Sequence, residues 1–169
     1  MALLYMSIGT IVISNITQDL TQLGGLWKRR PLAGIAFLVG SFGLVAFPPL
    51  GGFWILPELG YDFLLSQSWL GVVLFIVNGI TAFSLLRTFC LIFLGETKQM
   101  TVRSPEVLWA MVLPMMILTG VTLHLPLVLA QFKLINFEGN LNTLFSLSTA
   151  IGVIFAMLIY GKKPADKKI

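Results

Sequence analysis

The sequence predicts an all-α fold: a polytopic transmembrane helix bundle with about five membrane segments, one of them broken. Of the 169 residues, 57% are hydrophobic and only 11% are charged. Soluble domains average about 25% charged residues, so this composition cannot build a water-facing surface. The mean hydropathy of +0.92 indicates the same class. Charge-free stretches then place the segments, at residues 1–18, 31–57, 63–86, 107–132 and 139–161.

These stretches predict a single membrane domain over 1–169. Its segments lie at about 1–14, 32–65 with a break near 47–54, 69–94, 107–131 and 143–160. A hydrocarbon core of about 30 Å needs about 20 helical residues, which each of the last four segments supplies. The first reaches only about 20 Å, so we expect it to be the end of a longer helix. The chain is therefore predicted to be a C-terminal-side fragment of a larger protein.

The basic residues lie almost entirely on one side of this bundle. The positive-inside rule makes that side cytoplasmic and places the C-terminus there. Because the basic residues sit between apolar runs and not on one polar face, the pattern argues against a nucleic-acid partner. The opposite loops contain only Lys133. The cytoplasmic side contains Lys28, Arg29, Arg30, Lys98, Arg103, Lys162, Lys163, Lys167 and Lys168.

The first cytoplasmic loop has the pattern of a short amphipathic helix. Asn15 can cap it, and Gly24 and Gly25 end it. Its apolar face would consist of Ile16, Leu20 and Leu23. We expect this helix to lie flat on the membrane, with a structural role.

The second segment is too long for one straight crossing. Residues 32–65 would extend about 50 Å as a continuous helix. Pro48 and Pro49 remove two amide donors, and Gly51 and Gly52 permit unusual backbone angles, so the helix is predicted to break here. Irregular backbone at membrane depth must be buried in protein or line a wet cavity. The break marks an ion pathway, as in transporters, or else a plain proline kink or a loop at a helix end.

The third segment has polar residues on about half of its circumference. Arg87 is the most informative of them, because a charge inside a membrane is costly and usually functional. It could line a proton pathway together with Ser84 and Thr81, or its side chain could extend to the nearby cytoplasmic interface. Asn78 and Thr88 complete this polar face.

Two further titratable groups are candidates for a proton pathway. Glu58 follows the break and is either a relay group or a solvated loop charge. His124, near the end of the fourth segment, is either a proton relay or a ring that bonds to a helix carbonyl or faces water. With one His and one Cys, Cys90, the chain lacks the ligands of metal, haem or iron-sulfur sites. We predict no catalytic redox site, no metal site and no cofactor in this chain.

Small residues recur at four-residue spacing in two segments. Ala36 and Gly40 do so in the second segment, and Ser148, Gly152 and Ala156 in the fifth. Such stripes let helices approach closely. We therefore expect both segments to pack against neighbouring helices.

Several motifs together resemble a known family. They are Gly24-Gly25-Leu26, Arg30-Pro31, Phe47-Pro48-Pro49-Leu50 and Phe53-Trp54. The similarity runs from about Ser7 to Lys163, and the family is that of the antiporter-like chain 5 (F-type) membrane subunits of NAD(P)H-quinone oxidoreductases, the complex I family. The resemblance implies that the segments match crossings eleven to fifteen. It also implies a proton-translocating part, coupled to electron transfer elsewhere in a complex, with other membrane subunits as partners.

Other motifs are similar to the cyanobacterial CO2-uptake branch of that family. They include residues 15–20, Leu26-Trp27 and residues 103–107. This branch implies a thylakoid location and a hydrophilic CO2-hydrating module as a partner. One position departs from the family, because Leu56 stands where the family commonly has a proton-relay lysine. The relay role cannot be assigned to Leu56, whereas the family's basic residue in the next helix matches Arg87.

Two alternatives remain open from the sequence. The chain could be a non-conducting membrane scaffold that docks the CO2-hydrating module. It could also belong to a multi-protein cation/proton antiporter, although such a subunit would be expected to keep the lysine. A scaffold has no need of the polar residues around Arg87 or of the broken helix, and both features favour proton transport.

Overall fold

The computed structural model describes residues 1–15, 19–20, 22–95, 97, 109–132 and 140–161. Every regular element among them is helical, which confirms the all-α prediction. A short 3-10 turn at Leu26–Lys28 precedes the second helix, and the last helix continues as a π-helix over Met157–Gly161. The helices are α1 (Ala2–Asn15), α2 (Pro31–Leu44), α3 (Gly51–Ser66), α4 (Ser68–Phe93), α5 (Trp109–Gln131) and α6 (Asn140–Ala156).

Three helices are long and apolar enough to cross a membrane, by length and composition: Trp69–Phe93, Trp109–Gln131 and Leu141–Gly161. The shorter helices α1 and α2 are also apolar. Together with the many large apolar side chains on the surface, these helices identify an integral membrane protein. Which face is cytoplasmic stays a prediction, because the basic residues of the tail and of the loop after α4 lie outside the described residues.

Two helices that are distant in the sequence, α4 and α6, run parallel and pack closely. Phe75 contacts Ser148 and, further along both helices, Phe83 contacts Tyr160, so the two helices run in the same direction. A side chain at Gly152 would collide with the Gly79 carbonyl and come within 3.1 Å of the Ala82 Cβ atom. The predicted small-residue stripe of the fifth segment therefore forms the contact surface of α6.

The second predicted stripe also lies at a helix contact. Ala36 and Gly40 of α2 are buried, and a Cβ atom on Gly40 would lie 3.1 Å from Leu4 of α1. Aromatic rings fill the adjoining core, where Phe37 of α2 packs against Phe89 and Phe93 of α4, with ring centres 6.2 and 5.9 Å away. This packing holds α1, α2 and α4 together at one end of the bundle.

The predicted amphipathic helix in the first loop is wrong in its described part. Asn15 ends α1 and does not begin a new helix, because its side-chain amide donates to the Ile11 carbonyl at 2.9 Å. Residues 19–20 and 22–25 form turns and irregular backbone. Gly25 has a φ of 66°, and its N–H donates to the Leu94 carbonyl at 3.1 Å. The loop is therefore bonded to the end of α4. Ile16 lies outside the described residues.

Candidate functional site at the broken helix

The predicted break lies between α2 and α3. Helix α2 ends at Leu44, and Val45 is already extended. The Phe47 N–H donates to the Val45 carbonyl at 2.7 Å, and the Leu50 N–H donates to the Phe47 carbonyl at 3.0 Å. Between these two turns the prolines have no amide proton to donate, and a proline also disfavours helical backbone in the residue before it. The break therefore consists of residues 45–50.

Pro48 and Pro49 lie inside this break, as predicted, and a cis peptide bond joins them. Gly51 and Gly52 differ from the expectation, because they form the first turn of α3. Gly52 is required for a close approach, and not for an unusual backbone angle. A Cβ atom on it would overlap the Val45 carbonyl, 2.9 Å from its carbon, and would lie 3.1 Å from the Gly43 carbonyl oxygen. The start of α3 therefore packs directly on the C-terminal end of α2.

One buried side chain connects the break to two other helices. Asn78 of α4 is only 4% exposed, and its Oδ1 accepts the Ala46 N–H at 3.2 Å. Its Nδ2 donates to the Phe145 carbonyl at 3.2 Å and to the Thr149 hydroxyl at 2.9 Å, both in α6. We call these four residues, Ala46, Asn78, Phe145 and Thr149, the break junction. Both donors and one acceptor site of a single amide hold three segments together.

A small void borders the break on the α2 side. Its volume is about 10 Å³, roughly the space of one water molecule. The Ser41 hydroxyl lies in its wall, is 5% exposed, and has no hydrogen-bond partner among the described residues. Apolar side chains complete the lining, including Leu38, Val45 and Leu86. Within the break, Val45, Ala46 and Leu50 are buried in protein, whereas Phe47, Pro48 and Pro49 are exposed on the surface of the bundle.

The predicted polar face of α4 is divided by the structure. Asn78 points into the bundle, whereas Arg87 and Ser84 are exposed. Nine residues of helix turn the chain through about two and a half turns, which puts Asn78 and Arg87 on opposite sides of α4. Thr81 donates its hydroxyl to the Val77 carbonyl of its own helix at 2.8 Å. Arg87, Ser84 and Thr81 therefore lie outside the break junction.

Arg87 contacts the end of α6. Its guanidinium carbon lies 5.4 Å from the centre of the Tyr160 ring, a cation–π geometry. The two remaining candidates also lie apart from the break junction. Glu58 is exposed on α3, and His124 is exposed on α5, with its Nδ1 atom 2.8 Å from the Gly120 carbonyl oxygen. The carbonyl contact is the alternative that the sequence offered for His124. Whether any of these residues conducts protons stays a prediction.

The sequence analysis missed a buried polar face on α1. Ser7, Thr10 and Ser14 are nearly inaccessible, and each donates its hydroxyl to a carbonyl of its own helix. Arg30, which the charge pattern assigned to the membrane flank, is 6% exposed and donates to the Thr10 carbonyl at 3.3 Å. Burial lowers the pKa of the Arg30 guanidinium, which nevertheless stays protonated near neutral pH. The spacing of the three hydroxyl residues was the available signal.

Comparisons with known proteins agree with the resemblance. A protein family described as NADH:quinone oxidoreductase/Mrp antiporter, TM, matches residues 1–83. NAD(P)H-quinone oxidoreductase subunit 5 of the Paulinella chromatophora chromatophore is 34% identical over 98% of this chain. The chloroplastic subunit 5 of Chaetosphaeridium globosum is 25% identical over 99% of it, and that of Physcomitrium patens is 35% identical over 57%.

The chain belongs to the family of antiporter-like subunit 5 chains of NAD(P)H-quinone oxidoreductases. It spans 27%, 31% and 15% of the length of the three relatives named above. The matched region of the antiporter-like family contains the break and Asn78, and it ends before Arg87. Leu56, at the family's usual lysine position, is partly buried in α3. The assignment to the CO2-uptake branch stays a prediction.

Proposed function

We propose that this chain is part of a proton-translocating membrane subunit of an NAD(P)H-quinone oxidoreductase. The observation that carries the proposal is the break junction, where the buried Asn78 amide binds the buried N–H of Ala46 in the break and connects it to α6. Broken helices with buried, non-helical backbone are typical of ion pathways in membrane transporters. The subunit 5 relatives support the same role.

In this proposal the chain moves protons and does not transfer electrons. Electron transfer takes place in other subunits of the complex, and other membrane subunits are the partners of this chain. The C-terminus lies in the cytoplasm, on the side to which the basic residues belong. A thylakoid location and docking of a CO2-hydrating module rest on the motifs of the cyanobacterial branch alone.

Glu58 is the candidate that tests the proposal most directly. Leu56 cannot carry a proton. Glu58 is the carboxylate nearest to the break in the sequence, and it lies about half a helical turn beyond Leu56 in α3. We expect Glu58→Gln to lower proton uptake by membrane vesicles at least about tenfold while the complex stays assembled, because a positioned proton carrier contributes about 10² to 10⁴ in rate. Proton uptake would be measured with a pH-sensitive dye during electron transfer.

Asp62→Asn is the matched control, since Asp62 is an exposed carboxylate one turn further from the break on the same helix. It should leave proton uptake near the wild-type rate. Equal, unaltered uptake in both variants would remove Glu58 from the pathway and favour a scaffold with a structural break.

A further inference from the structure

A groove runs along the outer surface of the bundle between α4 and α6. Its volume is about 420 Å³, within the range of about 300 to 1,000 Å³ typical of ligand sites. The groove is open to the outside, and its wall is almost wholly apolar. The residues that form most of it are Phe75, Gly79 and Phe83 of α4 with Ile151, Gly152 and Phe155 of α6.

The groove ends at a positive charge. Phe83, in its wall, packs against the Tyr160 ring with the ring centres 6.3 Å apart. Arg87, one turn beyond Phe83 on the same face of α4, lies over the same Tyr160 ring, with its guanidinium carbon 5.4 Å from the ring centre. Among the described residues, no carboxylate forms an ion pair with Arg87. In the part of the chain that the structure describes, the apolar groove therefore leads to a cation that has no acidic partner.

The depth of this cation suits a membrane headgroup. Arg87 precedes the end of α4 at Phe93 by about 9 Å, and Tyr160 stands just before Lys162 and Lys163 in the sequence. Tyr is enriched at the interface between hydrocarbon and water, and Arg side chains extend to that level. The polar end of the groove therefore lies at the headgroup level, and the apolar part lies deeper in the hydrocarbon.

We propose that the α4–α6 groove binds one anionic glycerolipid, with an acyl chain along the groove and the headgroup phosphate on Arg87 and the Tyr160 hydroxyl. The occupant follows from charge and shape together, because a linear hydrocarbon fills an apolar groove and a phosphate pairs with a guanidinium. Arg87 is then a lipid-binding residue. This proposal does not depend on proton movement by the chain.

Photo-crosslinking in the intact complex tests the proposal. The complex is reconstituted in phosphatidylcholine nanodiscs with a trace of phosphatidylglycerol that carries a diazirine on one acyl chain. In parallel, phosphatidylcholine with the same diazirine serves as the neutral probe. We expect peptides of α4 and α6 to be labelled about fivefold more by the phosphatidylglycerol probe, which is the contribution of one basic residue near an anionic headgroup.

Three variants separate the two parts of the site. Arg87→Gln should reduce labelling by phosphatidylglycerol to the level of phosphatidylcholine. Ile151→Trp, which fills the groove, should reduce labelling by both probes. Lys28→Gln, a change of an exposed basic residue on the same predicted membrane side, should leave the labelling unchanged.

Two results would overturn the proposal. Equal labelling by both probes in the wild type, or unchanged labelling in Arg87→Gln, would show that the groove does not select an anionic lipid. An absence of labelling of α4 and α6 by both lipid probes in the wild type would show that no lipid occupies the groove.

Discussion

Replacing Asn78 with leucine should be one of the two most destabilising single changes near the break. The substitution keeps the side-chain size but removes three hydrogen bonds and leaves the Ala46 N–H buried without its partner. Unsatisfied buried groups cost about 1–3 kcal/mol, and hydrogen bonds between membrane helices average about 0.6 kcal/mol. We expect the free energy of unfolding to fall by about 2–4 kcal/mol, measured by titrating the full-length protein in mixed micelles with SDS.

Thr81→Val is the matched control, because the Thr81 hydroxyl bonds only within its own helix in the described structure. It should change stability by less than about 0.5 kcal/mol. A second control uses Thr149→Val, alone and together with Asn78→Leu. Since both residues belong to one network, their effects should be less than additive. Additive effects would mean that the Asn78–Thr149 bond does not contribute to stability.

Replacing Gly52 with alanine should prevent α3 from packing on the end of α2. The new methyl group would overlap the backbone carbonyl of Val45, which cannot move aside as a flexible side chain would. Overpacking costs about 1–3 kcal/mol, and we expect the upper part of this range here. The loss would be measured by the same SDS titration, and proton uptake should fall with it because the junction loses its geometry.

The neighbouring Gly51 provides the matched control. A Cβ atom on Gly51 has no neighbour within 4 Å, and the residue lies in the same helical turn. Gly51→Ala should therefore be neutral or slightly stabilising, since alanine favours helical backbone. If both alanine variants behaved alike, the close approach at Gly52 would not control the break.

The helices and the break could be predicted because their signals are local. Long charge-free runs fix the helices, and adjacent prolines interrupt hydrogen bonding wherever they stand. The break junction has no such signal. Asn78 forms hydrogen bonds with Phe145 and Thr149, which lie 67 and 71 residues further along the chain. No local pattern in the sequence predicts such a contact.

The orientation of α4 about its own axis could not be predicted from the sequence either. Its polar residues define an arc, but α4 is apolar on its other faces as well, so periodicity cannot show which edge of the arc points inwards. The structure turns Asn78 inwards and Arg87 outwards. Arg30 shows the same limit, because a basic residue at a segment end usually faces water. Here the Thr10 carbonyl accepts a hydrogen bond from it inside the bundle.

The parallel pairing of α4 with α6 determines the order in which this region can be completed during synthesis. Helix α5 leaves the ribosome before α6, and it packs mainly on α1 and α2, whereas α6 packs on α3 and α4. Until α6 inserts, the Asn78 amide lacks both of its acceptors, and the α2–α3 connection is held from one side only. A nascent chain interrupted before Phe145 would present a polar amide to lipid. A chain interrupted at this point therefore leaves the break junction open on the side of α6.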